Sequence, residues 1–562
     1  MKRQVLFIIL LIFLAGTFFR LYKLGTSLSG LLVDEASYGY NAYSIVETGA
    51  DEHGVLYPLV FRAFGDYKLP VYAYLTAISV KFFGMNSFAV RLPSALSGSF
   101  LILIAAALIW KVTSKNVSAT VFASLLTAFS PFTYILSRFG YESNVALLLW
   151  AGSMVSFVLA IDENKKKQQY MFFVLHAVLL ALTWYAYVAY RLTTFLFVLI
   201  MYSYLFLKQK QWKLLLVSGV TLFLLFLPLA KQALSGSGIA RFHQVGLFSD
   251  TGVTRKIIEN LDSCSRHLPM KLCSVLYNKG TMYSYIVVSR AVLSLSPSFL
   301  FLFGSEDLPY LSISMRGYFS LVLLPFFYLG IFQFFLIQTD RQDSTKKYRS
   351  FILALFISSV FPMILAGEPN ILRGSSLYVL CSLLLTGGFI FATTWLRSLP
   401  KRTFLLLSSL IALFFFLSTL ELYLTYFTVH MPKYDGAYNV HVVKFFNEIY
   451  PKYTHTDIYI RPSFSDPITY LAFTQHIPPL EYQNTVQWAN LEPSGFQHAR
   501  SLRNVYVSNE PSDTLCTVFL TNLVDANPKF TYIMSVPSAN GALNLLNLYS
   551  VGNPQQCPNN FR

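Results

Sequence analysis

A small set of charged residues stands out in this chain: the adjacent acids Asp34 and Glu35, then Lys68, Arg91, Arg138, Glu142, Arg191, Arg316 and Arg373. Several lie at the border of an apolar run, with one or two charges per border. Guanidinium groups hold phosphate or pyrophosphate through forked, charge-assisted hydrogen bonds. A carboxylate beside them can serve as a general base. Gathered over one cavity open to lipid, such groups suit group transfer from a lipid-borne phosphate. Each residue also has a plainer reading. An arginine at a span end is often an anchor reaching for the headgroups. Asp34-Glu35 can simply cap or begin a helix at Ala36-Ser37-Tyr38. Lys68-Leu69-Pro70 and Arg91-Leu92-Pro93 read equally as helix starts with Pro in the first turn.

The elements that must position these residues are membrane spans. The chain has 562 residues, 54% of them hydrophobic and 12% charged, with 51 Phe and 36 Tyr. Soluble proteins average roughly 25% charged residues. Mean hydropathy is +0.50. A soluble globule could not cover so much apolar surface, and the composition excludes disordered and collagen-like chains as well. The net charge of +16 arises from 43 Lys and Arg against 27 Asp and Glu. In a membrane protein that excess belongs to cytoplasmic loops that hold topology, so it implies no nucleic-acid partner.

Val5–Phe19 follows Met1-Lys2-Arg3 without a small-residue cleavage site, and reads as an uncleaved first span with its N-terminus inside. Further apolar runs lie near 94–111, 117–136, 143–161, 170–189, 192–207, 213–231, 318–338, 350–366, 372–395 and 402–425. The run at 69–83 is short and carries Lys81. Reading it as a helix on, or dipping into, the outer leaflet puts Lys111, Lys165–Lys167, Lys208, Arg341, Lys346, Lys347 and Arg397 on the inside together. The expected fold is thus all-α and polytopic, with about eleven spans and the N-terminus cytoplasmic, in a plasma (inner) membrane. Residues 1–429 form the membrane domain, with long outer loops at 24–93 and 232–317. Residues 430–562 alternate short β-rich runs (Asp457–Ile460, Thr517–Leu520, Thr531–Val536) with helical patterns (Val440–Tyr450, Pro467–His476). They read as an extracytoplasmic α/β domain.

Cys381 falls in a span, whereas Cys264 and Cys273, and Cys516 and Cys557, fall in outer segments. Even numbers there suggest two local disulfides. The competing reading, a metal held by Cys264, His267 and Cys273, is short of ligands. The chain has no G-x-x-x-x-G-K-[ST], no Asp-x-Asp and no H-E-x-x-H, the signatures of P-loop ATPases, metal–nucleotide-sugar sites and zinc proteases.

Val33-Asp34-Glu35-Ala36-Ser37-Tyr38, placed after a first span, resembles the opening loop of GT-C class glycosyltransferases. The narrower likeness is to the branch of protein O-mannosyltransferases and lipid A aminoarabinose transferases. Gly65-Asp66-Tyr67-Lys68-Leu69-Pro70-Val71-Tyr72 resembles that branch's K-P-P or H-P-P segment, with Leu69 replacing the first Pro. Phe88-Ala89-Val90-Arg91-Leu92-Pro93-Ser94-Ala95 matches its F-A-x-R-L-P-S-A run. Ser137-Arg138-Phe139-Gly140-Tyr141-Glu142 is similar to its S-R-x-x-x-x-D segment, with Glu142 one place early. Pro297-Ser298-Phe299-Leu300-Phe301, Gly304 and Arg316 resemble a segment of the bacterial branch. The likeness covers about the first 430 residues.

The resemblance implies a polyprenyl-phosphate sugar donor in the outer leaflet. It implies inverting transfer of one monosaccharide to a hydroxyl of a glycan, lipid or protein acceptor. Asp34 corresponds to the catalytic base, and Glu35 would assist placement of acceptor or donor. Lys68, Arg138 and Arg373 are candidates for the lipid-phosphate site. Arg91, Glu142, Arg191 and Arg316 complete the candidate substrate-binding set, with Arg91 also open to a structural role in the loop. No cofactor is called for, because Lys and Arg can neutralise a leaving phosphate, although a divalent metal stays open. One displacement needs one base, whereas retention would normally need a second, nucleophilic carboxylate close by. Neighbours in sequence point different ways, so Glu35 is poorly placed for that. The rival reading is a transporter or flippase for a lipid-linked sugar, which would be expected to carry inverted repeats. No internal repeat is apparent.

Overall fold

The computed structural model describes residues 3–27, 30–64, 66–233, 251–305, 308–313, 316–335, 348–365, 367–462, 466–490, 497–511, 516–522, 530–537 and 544–551. Arg341, Lys346, Lys347 and Cys557 of the sequence reading lie outside these residues. The apolar runs, together with one stretch of the outer loop 24–93 (α2), become helices: α1 (Arg3–Leu21), α2 (Val33–Thr48), α3 (Pro70–Phe83), α4 (Ser87–Val112), α5 (Val117–Phe129), α6 (Pro131–Arg138), α7 (Glu142–Asp162), α8 (Lys166–Ala186), α9 (Ala189–Gln209) and α10 (Trp212–Ala233). Later helices include Arg349–Leu365, Leu377–Leu396 and Lys401–Thr425.

Among the described residues, nine helices are long and apolar enough to cross a membrane, and the bent pair α5–α6 makes a tenth. The bend of 42° falls where Ser130 meets Pro131. Proline lacks the N–H that would continue the ladder and drives the preceding residue extended, and Ser130 indeed has ψ 142°. Leu321–Phe334 and Arg349–Leu365 are apolar but shorter, and coincide with two expected runs. Met270–Leu302 is one of the nine by length and composition, although it falls inside the expected outer loop 232–317. It is broken after Leu276 and again after Ser294. Helix α3 has 14 residues, too few for the ~20 that a span requires.

Contacts divide the chain into two units that alternate along the sequence. The first comprises Met1–Phe19, Ser97–Leu136 and Ser143–Leu422. Its interior is rich in rings: Phe157 stacks on Phe351 at 5.7 Å, Phe122 on Phe389 at 4.3 Å, and Trp150 meets Phe197 edge-on at 5.3 Å. Where Leu377–Leu396 crosses Leu324–Phe335, a Cβ on Gly388 would sit 1.8 Å from the Phe326 carbonyl oxygen. Only a glycine lets those backbones touch, the usual device of membrane helix packing. Cys264 and Cys273 are joined by a disulfide, as expected.

The second unit comprises Arg20–Leu96, Ser137–Glu142 and Tyr423–Arg562. Two short antiparallel strands, β1 (Phe61–Ala63) and β2 (Asp66–Lys68), lead into α3. The C-terminal region forms a mixed sheet from β3 (Ile458–Ile460), β4 (Gln487–Trp488), β5 (Ala499–Leu502), β6 (Val505–Val507), β7 (Val518–Thr521), β8 (Phe530–Pro537) and β9 (Asn544–Val551), in the order β4-β5-β6-β3-β7-β9-β8. Its centre, β6-β3-β7, is parallel, and Ile458 and Ile460 are buried there. One hydrophobic core unites Ala36 and Tyr40 of α2, Ala77 and Val80 of α3, and Ile468, Leu471 and Phe473 of helix Pro467–Thr474 with the sheet. The first long connection and the C-terminal domain therefore fold as one body. Cys516 is disulfide-bonded.

Candidate active site

Glu35 and Arg91 are both fully buried in the second unit. Arg91 Nε donates to Glu35 Oε1 at 2.7 Å and its Nη2 to Oε2 at 2.9 Å, a two-pronged pair. Arg91 also donates to the carbonyls of Leu24 and Gly30, at 3.2 and 2.7 Å. Glu35 accepts two further bonds, from the backbone N–H of Leu32 at 3.0 Å and of Gly140 at 2.8 Å. Its lone pairs are thereby used up. A Cβ at residue 140 would lie 3.0 Å from Glu35 Cγ, so glycine suits this close approach. Three motifs far apart in sequence thus meet on one sealed carboxylate.

Arg138 is spent in the same manner. Its Nη1 donates to the carbonyls of Arg20 and Tyr22, both at 2.8 Å, and its Nη2 to the Lys23 carbonyl at 3.1 Å and Ser27 Oγ at 2.6 Å. Nε donates to the Tyr426 hydroxyl at 3.3 Å. Arg20, also buried, donates to Ser137 Oγ at 3.2 Å. A guanidinium with each nitrogen donating inward has little left for an external phosphate. Arg138 therefore pins the chain that leaves α1.

Asp34 is different. Its side chain is 47% exposed and pairs with the ammonium of Lys68, which is 4% exposed. Lys68 comes from β2 and lies over the rings of Tyr38 at 4.9 Å and Phe64 at 5.0 Å. These two rings shield the cation and aim it at the carboxylate. Asp34 stands in the first turn of α2, where the helix dipole favours an anion. Val33 before it packs against the core of the unit, and Glu35 after it faces inward. Glu142, half-buried, opens α7 in the same favourable position.

In the first unit, Arg316 forms an ion pair with Glu421. Both line a cavity of about 480 Å³ whose walls include Phe129, Phe301, Phe319 and Leu422. Arg316 is 28% exposed, and so retains surface that a ligand could use. Arg373 is half-buried, with its backbone N–H capped by Asn370 Oδ1 at 3.1 Å. Arg191 is half-buried near the start of α9, its Nε 3.4 Å from the Trp184 carbonyl. Among the described residues, no group of three or more His, Cys, Asp or Glu side chains is placed to hold a metal ion.

Sequence reasoning passed over a second buried acid. Glu52 is almost fully buried and interlocks with Asn41: Asn41 Nδ2 donates to Glu52 Oε1, and the Glu52 N–H to Asn41 Oδ1, both at 3.1 Å. Burial, aided by Asp466 and Asp51, pushes its carboxyl up to about 8. Its neighbour His53 stacks on Trp488 at 4.3 Å, and burial lowers it to about 4. Nothing in the sequence distinguishes Glu52 from Glu47 or Asp51, because its partners come from distant segments.

Residues 67–231 match the family model described as dolichyl-phosphate-mannose-protein mannosyltransferase. No curated protein matches the chain by sequence. Among solved structures, the chain is similar to ArnT from Cupriavidus metallidurans bound to undecaprenyl phosphate, with 11% identity and TM-score 0.54 over 98% of this chain and 99% of that one. It is also similar to the Archaeoglobus fulgidus oligosaccharyltransferase in the apo form, with 16% identity and TM-score 0.51 over 84% of this chain. A third is the same organism's AglB in complex with an inhibitory peptide and a dolichol-phosphate, with 14% identity and TM-score 0.51 over 84% of this chain. The chain spans 64% of the length of the archaeal proteins. The chain thus shares the fold of these solved structures, with the long apolar helices of a multi-pass membrane protein.

Proposed function

We propose that this protein transfers a monosaccharide from a polyprenyl-phosphate donor to an acceptor hydroxyl at the outer face of the plasma (inner) membrane. The C-terminal domain is extracytoplasmic in this reading. The observation that carries it is the division of labour around α2: Glu35 is sealed and saturated, while the adjacent Asp34 is half exposed and held by Lys68. The match of residues 67–231 to the mannosyltransferase model supports it. So do the undecaprenyl phosphate and dolichol-phosphate named for the structural neighbours.

Asp34 acts as general base. The acceptor O–H gives its proton to the carboxylate as its oxygen bonds to the anomeric carbon. The bond from that carbon to the phosphate oxygen breaks, and the lipid phosphate leaves with the electron pair. A single displacement inverts configuration. Lys68 orients Asp34 and supplies local positive charge. Arg316, Arg373 and Arg191 are the proposed donor-phosphate cations of the first unit. Glu35, Arg91 and Arg138 are positioning residues that hold the segment leading from α1 into α2, whose first turn carries Asp34. The test is reconstitution in vesicles with a radiolabelled polyprenyl-phosphate hexose or pentose, combined with mass spectrometry of surface glycans with and without the protein. Release of free polyprenyl phosphate with label in a new product supports transfer; movement of intact donor across the bilayer without product would instead identify a flippase.

A further inference from the structure

The turn after α2 is tightly built yet presents apolar side chains outward. Asp51 Oδ1 accepts from the backbone N–H groups of His53 and Val55, both at 2.9 Å, and Ala50 bridges Leu56. The Tyr57 N–H donates to the Gly49 carbonyl at 3.0 Å. So ordered a turn would normally show polar side chains to water. Here Leu56 is 68% exposed, and Tyr57 and Leu59 are exposed with it.

This turn is fastened to α3. The Tyr74 hydroxyl donates to the Pro58 carbonyl at 3.0 Å. Helix α3 buries Tyr72, Ala73, Thr76, Ala77 and Val80, and leaves Leu75, Ile78 and Phe82 exposed. Spacings of three and four put those last three on one face. Tyr74 lies at the edge of that face, so turn and helix make one apolar surface. Lys81 is exposed in the last turn of α3, and Gly84-Met85-Asn86 leads straight into α4, a candidate span. The C-terminal end of α3 is thus tied to a membrane border by chain connectivity alone.

We propose that the 55–59 turn and the exposed face of α3 form a wedge seated in the lipid of the membrane border. Its apolar tips enter the acyl region and Lys81 meets headgroup phosphate. The wedge fixes the depth of Lys68, which lies between the two elements in sequence, and so sets the Asp34–Lys68 pair at a lipid surface. This rests on the chain's being a membrane protein, and stands whether or not the proposed sugar transfer is correct.

The test uses the full-length protein with an environment-sensitive fluorophore on Leu56→Cys or, separately, Leu59→Cys, in phosphatidylethanolamine–phosphatidylglycerol vesicles. Exposed Lys452→Cys is the control. Both sites are exposed, so neither change removes core packing. Quenching by nitroxide-bearing lipid several-fold stronger than at Lys452→Cys, with weak quenching by aqueous iodide, is the expected result. Iodide quenching equal to the control would overturn the proposal. Protection from both quenchers, which means another protein surface covers the turn, would overturn it as well.

Discussion

The guanidinium of Arg91 and the carboxylate of Glu35 form a two-pronged ion pair with no exposure to solvent, locked further by the backbones of Leu24, Gly30, Leu32 and Gly140. A buried pair of this kind is costly to break, because the surviving charge is stranded. Glu35→Ala is therefore expected to destabilise the second unit by about 3–5 kcal/mol. Thermal unfolding in detergent and limited proteolysis of the 20–96 segment check this. An unchanged melting temperature would show that the pair is not structural.

Arg138→Ala should resemble Glu35→Ala more than a binding defect. Its donors hold the carbonyls of Arg20, Tyr22 and Lys23, so the loss falls on the path from α1 to α2. Titration with undecaprenyl phosphate separates the two effects. A fully stable variant with weakened lipid-phosphate binding would return Arg138 to the phosphate site.

Arg316→Gln should act the other way, with stability little altered. Loss of a charge-assisted bond is worth about 1.5–3 kcal/mol, so donor KM should rise by about 10- to 100-fold. Steady-state kinetics with the polyprenyl-phosphate sugar provide the measurement.

Glu52 gives a pH prediction. Its folded carboxyl titrates near 8, against an ordinary value of 4.5, chiefly because it is buried. As pH rises through that interval the unfolded chain loses its proton while the folded chain keeps it. Stability therefore falls over the window, by up to ~1.4 kcal/mol per pH unit, and levels off above it. His53, lowered from 6.5 to about 4, has the opposite trend below 6.5. The clearest test is thus between neutrality and about 8. Glu52→Gln keeps an acceptor for Asn41 and should flatten the wild-type decline in melting temperature there.

Much of this was legible in the residues, and the limit is physical. Apolar runs foreshadowed the helices, whereas the bend at Ser130-Pro131 falls inside 117–136, which reads as a single run. Alternation over Asp457–Ile460 and Thr531–Val536 marked strands that the structure contains. The charged set was also visible, but not how its members divide. Asp34 and Glu35 look alike in sequence, and only the distant partners Arg91 and Gly140 on one side and Lys68 on the other distinguish them. Likewise nothing local shows that the donors of Arg138 are consumed by backbone carbonyls. In the sequence, breaks and polar residues mask the helical stretch Met270–Leu302 within the expected loop 232–317.

The central claim is that Asp34 accepts the acceptor's proton. The most direct measurement is the rate of sugar transfer by Asp34→Asn in reconstituted vesicles, with melting temperature and membrane insertion recorded on the same sample. The expected result is transfer lost while fold and insertion match the wild type. Full transfer by that variant would contradict the assignment of the base.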